Sequence, residues 1–384
     1  MLKRLQRFRD DERGMSFVFV GIGFMAFMAA TTLAVDVGMF MTARTQAQTS
    51  ADAAALSGVT ALVFNNWDDR SATGPAVQSA LSTAQQNNVM GSAVSALPTD
   101  VTFPLDSFGQ ATEVKVNVFR TISRTNPVTT LIGPLFGVPT IDIQATATAQ
   151  AAPAGGMTCV KPFIIPDKWT ENTNPPWNMN TSVFDKYDNR GNLLTPVHDD
   201  YDPAHGYSML DKGTRLILRA GSGNNIEPTF YYSWSMPGMP NGEIGGDWYR
   251  ENIANCNTSV ITVPSVATQE PGNLMGPTVQ GLQELLDRDP SASWHDDATG
   301  GYYVSTMNPS PRVFPIPFYN PDDYDLGKKT GRNATLNVTG FIGFFLESIQ
   351  GNEVYGRIFP ITGVSAATSP TPTAPLAYVI RLVQ

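Results

Sequence analysis

The side chains best suited to chemistry in this 384-residue chain are acidic and lie beyond residue 180. Asp185, Asp188 and Asn189, followed by Gly191, put oxygen ligands beside a turn-forming glycine, and Asp199, Asp200 and Asp202 form a second group near His198 and His205. Oxygen-rich loops of this kind suit calcium. The EF-hand spacing and its terminal Glu are missing, however, and Asp, Asn and Gly more commonly build polar turns. Asp296 and Asp297 beside His295 have the residue types for acid–base work, but next to Gly300 and Gly301 they read as a solvent-exposed loop. Tyr231, Tyr232, Trp234, Trp248 and Tyr249 make an aromatic-rich region. Such surfaces bind glycans or proteins, although rings of this density more often fill a β-domain core.

The motifs of common catalysts are missing: there is no G-x-S-x-G, P-loop, G-x-G-x-x-G, H-E-x-x-H or C-x-x-C. Two Cys and three His leave little for zinc or iron–sulfur ligation. The reading is therefore non-enzymatic, with no catalytic, cofactor-binding or metal residue assigned and no cofactor expected. A net charge of −9 argues against nucleic acid as a partner. Cys159 and Cys256 are an even pair, which outside the cytoplasm favours a disulfide. Closing a loop of about 100 residues contributes on the order of 4–5 kcal/mol in the chain-entropy model, less any strain.

The elements that carry these residues begin with an anchor. Residues 1–14 hold Lys3, Arg4, Arg7, Arg9 and Arg13 against Asp10, Asp11 and Glu12, and no charged residue follows from Met15 to Val35. As a helix that run spans about 31 Å, the thickness of a bilayer core. It is longer than the apolar core of a secretory signal, and no A-x-A-like cleavage site follows it closely. The basic flank puts residues 1–14 in the cytoplasm and the remainder outside. The next stretch lacks Pro and is rich in Ala, the best helix former. Val37, Phe40, Ala43, Ala47, Ala51, Ala54, Gly58 and Leu62 recur at helical steps. A single helix is expected from about Met15 to Phe64, with Thr45, Gln48, Thr49 and Asp52 opposite the apolar face. Its small residues permit close approach of another element, most simply of its own domain.

Asp11 to Thr60 resembles the amino-terminal domain of TadG-like Flp (Tad) pilus-assembly proteins. The resemblance rests on Glu12-Arg13-Gly14, the apolar run, Leu33-Ala34-Val35-Asp36-Val37-Gly38 and Ala51-Asp52-Ala53-Ala54-Ala55-Leu56-Ser57-Gly58. It continues loosely to about Ala152. Related pilins and pseudopilins are cut after a Gly with Glu five positions on; here Gly14 is followed at that position by Phe19, so the processing signal is incomplete. A von Willebrand A-type metal site, found in some relatives, is not assigned to this chain.

Beyond the helix, Pro75–Val89 reads as a helix stopped by Gly91, residues 100–103 and 113–119 as strands, Pro127–Phe136 as a short helix, and Thr140–Gln150 as a strand. This predicts a small pilin-like sheet packed on the long helix, over residues 36–152. Residues 153–158 read as a linker and 159–384 as a β-rich extracytoplasmic domain. Strands are expected near 159–165, 215–219, 230–235, 259–263, 313–319, 334–346 and 378–383, and helices at 248–254 and 278–286. Thr368–Pro375 reads as an extended spacer. The fold class is thus α+β: a transmembrane and amphipathic helix on a small sheet, then a β-rich domain. The resemblance implies a membrane-anchored component of Flp/Tad-type pilus assembly or a related envelope structure in the bacterial inner membrane, with the bilayer and envelope proteins as partners. The alternatives are an anchored enzyme or solute- or glycan-binding protein with its site in 159–384, and a processed minor pseudopilin.

Overall fold

A computed structural model describes residues 12–383 apart from 108, 174, 222–224, 239–244, 271, 273, 331–334 and 366–375. The basic segment before Glu12 and the Thr368–Pro375 spacer lie outside the described residues.

Helix α1 (Glu12–Phe64) runs unbroken through the apolar and Ala-rich stretches. Every side chain described from Ser16 to Val35 is exposed, and Asp36 is the first buried one. From Ala43 onward one face is covered: Ala43, Ala47, Ala51, Ala54, Val59 and Leu62 are buried. Val37 stays exposed and Phe40 half-buried, so the covered face starts one to two turns later than its periodicity suggests. Helix α2 (Pro75–Gln86) begins with the expected proline and lies against α1. Gly91 does not end it; with φ +78° it forms the turn of a small hairpin joining Asn88–Val89 to Ser92–Ala93.

Strands β1 (Val101–Thr102), β2 (Glu113–Arg120) and β3 (Ile143–Pro153) complete the layer behind α1. The alternation of β2 points Val114, Val116 and Val118 at the helix side. The short helix expected over Pro127–Phe136 is instead a hairpin, Val128–Thr129 paired with Thr140–Ile141, whose tip is a single 3-10 turn at Gly133–Phe136. Pro127, Pro134 and Pro139 deny an α-helix its hydrogen bonds there.

The second half contributes β4 (Phe163–Pro166), β5 (Arg215–Ala220), β6 (Phe230–Ser233), α3 (Gly246–Ala254), β7 (Ser265–Ala267), α4 (Met275–Arg288), β8 (Val313–Tyr319), α5 (Pro321–Lys329), β9 (Leu336–Gln350), β10 (Glu353–Phe359), β11 (Ile361–Thr362) and β12 (Ala377–Val383). Six strands close on themselves in the order β9-β8-β4-β6-β5-β10, because β9 pairs with both β8 and β10; β7 adds to the outside of β9. The result is a barrel with parallel joins at β4–β8 and β5–β6. Its filling is aromatic and aliphatic, with Phe163, Phe314, Ile316, Phe344, Leu216 and Ile358 buried.

Two connections bind the halves more closely than the expected boundary implies. Strand β12 returns to the first sheet and pairs with the C-terminal half of β3, from Tyr378↔Pro153 to Val383↔Thr148. Within residues 153–158, Gly156–Met157 pairs with Ile261–Thr262, and Val364 N–H donates to Gly156 O at 2.9 Å.

Candidate functional site

The acidic groups of the outer half do not converge. Asp188 is spent on its own turn, accepting from the N–H of Arg190 at 2.7 Å and of Asn192 at 2.9 Å; the Asn192 side chain and these amides hold its carboxyl below the usual range. Asp185 pairs with His198 at 3.0 Å. Asp199 is fully buried, accepts from Asp185 N–H at 2.6 Å, and is pushed up by burial and by Glu171. Asp200 shares Lys186 with Asp322, at 2.8 and 2.7 Å. Asp202 caps the turn at residues 203–205 and meets His205 at 3.0 Å. Among the described residues no group of three or more His, Cys, Asp or Glu is placed to hold a metal ion.

Asp296 pairs with Arg357 at 3.2 Å, and Asp297 caps the turn that Gly300 and Gly301 complete, accepting from Thr299 and Gly301 amides. His295 stacks on Tyr302. These residues form a hairpin tip rather than an acid–base pair. Of the aromatic cluster, Tyr231, Tyr232, Trp234 and Tyr249 are buried and Trp248 half-buried, so they serve mainly as core.

Of the buried charges that escape the sequence reading, Lys161 and Asp167 are the most enclosed. Lys161 inserts its ammonium at the C-terminal end of α3, donating to Ile253 O at 2.5 Å and Asn255 O at 3.0 Å. Burial, then the nearby Arg288, brings its pKa down to about 7. It sits beside the disulfide that joins Cys159 to Cys256, so bridge and ammonium together fasten the start of the outer half to the end of α3. Asp167 accepts from the N–H of Lys168 (2.8 Å) and Tyr207 (3.0 Å) and from Tyr201 Oη–H (2.9 Å); burial pushes its carboxyl up to about 7. A charge set against each apolar run, in V-K-P-F and in I-I-P-D-K, is the signal the sequence offers.

Neither charge lines the two clefts described. One, of about 460 Å³, is bounded by Tyr231, Tyr232, Ser233, Gln269 and Asn352. The other, of about 560 Å³, lies between the end of α1 and the hairpin bearing Asp297 and Tyr302. Lys212 in that second cleft donates to Phe64 O and Asn65 O, both at 2.8 Å, capping the C-terminus of α1.

The most organised polar geometry lies on α1 itself. The Asp36 carboxylate accepts from the backbone N–H of Leu131 (3.0 Å), Ile132 (3.2 Å) and Gly133 (3.0 Å). One turn of the chain is thus clamped to the helix at the point where the bare segment ends. Further along, Ser50 Oγ–H donates to Ala84 O at 3.1 Å, and Thr83 donates to Ser57 at 2.8 Å. Gly58 lets α2 and β2 approach: a Cβ there would lie 2.9 Å from Val114 Cγ1 and 3.2 Å from Ala80 Cβ. The small residues therefore pack within the chain.

Residues 14–61 match the model of the family described as "Putative Flp pilus-assembly TadE/G-like". Neither a curated protein nor a solved structure gives a match. The matched segment is α1 from just inside its start to its last turn. The TadE/G-like segment therefore contains both the bare apolar stretch and the face that carries the folded body. The match, confined to this segment, supports a Flp/Tad-associated role. Residues 16–64 form the one helix among the described residues long and apolar enough to cross a membrane.

Proposed function

We propose that the chain is a membrane-anchored, non-enzymatic component of Flp/Tad-type pilus assembly that works through protein or surface contacts. The supporting observation is that the TadE/G-like match falls on a helix left bare over a bilayer's thickness and then clamped to a folded body. In this reading residues 1–14 are cytoplasmic and 15–35 span the inner membrane. The module over 36–152 and the outer body from 159 onward lie outside, with 153–158 as the passage between them and β12 crossing back. The incomplete processing signal favours a retained anchor over a pseudopilin cut at Gly14.

The test is fractionation of full-length protein from cells, with intact mass measured before and after reduction. Retention in the membrane after alkaline carbonate, protease access to the outer body only from the outside, and a full-length mass are the expected results. Release by carbonate would overturn the anchor, and a mass lacking residues 1–14 would move the protein to the processed class. The cleft walled by Tyr231, Tyr232, Gln269 and Asn352 supports a second reading, an anchored solute- or glycan-binding protein. Saturable glycan binding lost on Tyr232→Ala would favour it.

A further inference from the structure

We infer that the loop 131–138 is a second membrane contact, an apolar finger that dips into the headgroup–acyl boundary beside the helix. The inference rests on the reading of residues 15–35 as a span. Between Arg124 and Asp142 the chain carries no charged residue. At the tip of its hairpin Leu131, Leu135, Phe136 and Val138 are 64, 83, 67 and 48% exposed. Large apolar side chains held out in this way, contiguous in one loop, mark an interaction surface.

The loop is built to hold them there. Thr130 Oγ1–H donates to Val138 O at 2.7 Å, and Val138 N–H to Gly133 O at 2.9 Å. Gly137 takes φ +79°, which closes the 3-10 turn. A side chain at Gly133 would collide with Thr130 and with Val138 O, so the tip keeps its shape only with glycine there.

Its attachment identifies the occupant. The three amides at 131–133 bind Asp36, and Asp36 is the first buried side chain after the bare segment of α1. The finger is thus fastened where the helix leaves the hydrocarbon. Leu33 and Val35, just before Asp36 on the helix, are exposed apolar side chains as well. The same contact covers a carboxylate that would otherwise face the bilayer edge, where an unpaired charge is costly. A lipid surface meets all of these conditions: uncharged, adjacent to the span, and able to accept apolar side chains to a depth of about 5–10 Å.

The test uses the full chain, with its native cysteines closed in the disulfide. Leu135→Cys, Phe24→Cys and Leu210→Cys variants each carry an environment-sensitive NBD label, in phosphatidylethanolamine–phosphatidylglycerol vesicles with and without doxyl-labelled lipid. All three positions are exposed in the folded chain, so none of the labels disturbs a core. Expected are doxyl quenching at positions 24 and 135 and none at 210, with the label at 135 blue-shifted relative to 210. Adding Asp36→Ala should at least halve quenching at 135 and leave 24 unchanged. Quenching at 24 alone would leave the span standing and sink the finger. A blue shift at 135 that grows with protein-to-lipid ratio but is indifferent to doxyl lipid would assign the loop to a second copy of the chain, again overturning the proposal. Absence of quenching at both sites would remove span and finger together.

Discussion

The inner module and the outer barrel solve the same packing problem with opposite materials. Between α1, α2 and the first sheet the buried residues are mostly Ala and Val: Ala47, Ala51, Ala54, Ala80, Ala147, Ala149 and Val114 among them. The barrel is filled by Phe163, Phe314, Phe344 and their aliphatic neighbours. The small-residue seam brings helix and sheet backbones close and is intolerant of added volume. The aromatic core gains from large buried area and is intolerant of its removal. Interiors packed near crystal density fail in both directions, but by different amounts.

The sharpest test of this contrast is a large-to-small change in the barrel. Phe344→Ala removes a fully buried ring that packs on Phe314; the expected loss is about 3–5 kcal/mol, read from denaturant melts of the detergent-solubilised chain. Reduction of the Cys159–Cys256 bridge should cost about 2–4 kcal/mol, and hydrogen exchange should place the loosening around α3 rather than in the small-residue seam.

Asp167 gives a pH arm of similar size. Its carboxyl in the folded chain sits at about 7, whereas the unfolded group releases its proton near pH 4. The native state therefore holds a proton that the unfolded chain has lost. The stability from this group is full below about pH 4 and declines as pH rises toward 7, by on the order of 2 kcal/mol between pH 5 and 8. Asp167→Asn should flatten that decline; an unchanged slope would show that other groups, Asp199 foremost, set it.

In the seam the change runs the other way. Gly58→Val pushes a branched side chain against Val114 and Ala80 and should destabilise by about 1–3 kcal/mol. A barrel position tolerating an added methyl at no cost would sharpen the contrast; Gly58→Val being neutral would break it.

How legible each region was follows the same division. The long helix was readable because Ala content, the lack of Pro and a charge-free run all point one way. Its chemistry was less so: Asp36 stood out in the motif, but its partners lie about 95 positions away, and no local pattern announces three amides at a hairpin tip. Strands β8, β9 and β12 were expected close to where they lie, because β-branched and aromatic runs are strong local signals. Strand β10 was missed, with Gly356 interrupting its alternation where Phe344 needs the space. Helix α5 was missed despite its Asn320 cap, Pro321, early Asp322 and Asp323 and late Lys328 and Lys329, since it is short and weakly apolar. Barrel closure and the return of β12 are matters of long-range pairing, which no window of sequence contains. The aromatic cluster was rightly read as core because rings are large relative to any surface they could cover.

The return of β12 beside β3 also sets how the molecule bears a load. The chain leaves the first sheet after Pro153 and comes back at Tyr378, its direct partner across the ladder. The chain therefore enters and leaves the outer body at two neighbouring points of the sheet, beside β11, while Lys212 holds that body to the end of α1. A pull on that body moves β3 and β12 together and puts little shear across the ladder between them. The strain falls instead on the β2–β3 ladder, on the Ala-lined seam with α1, and on the Lys212 contact at the end of that helix. On the proposed reading, a pull on the body from outside loads the seam where helix and sheet fit most closely before it reaches the anchor.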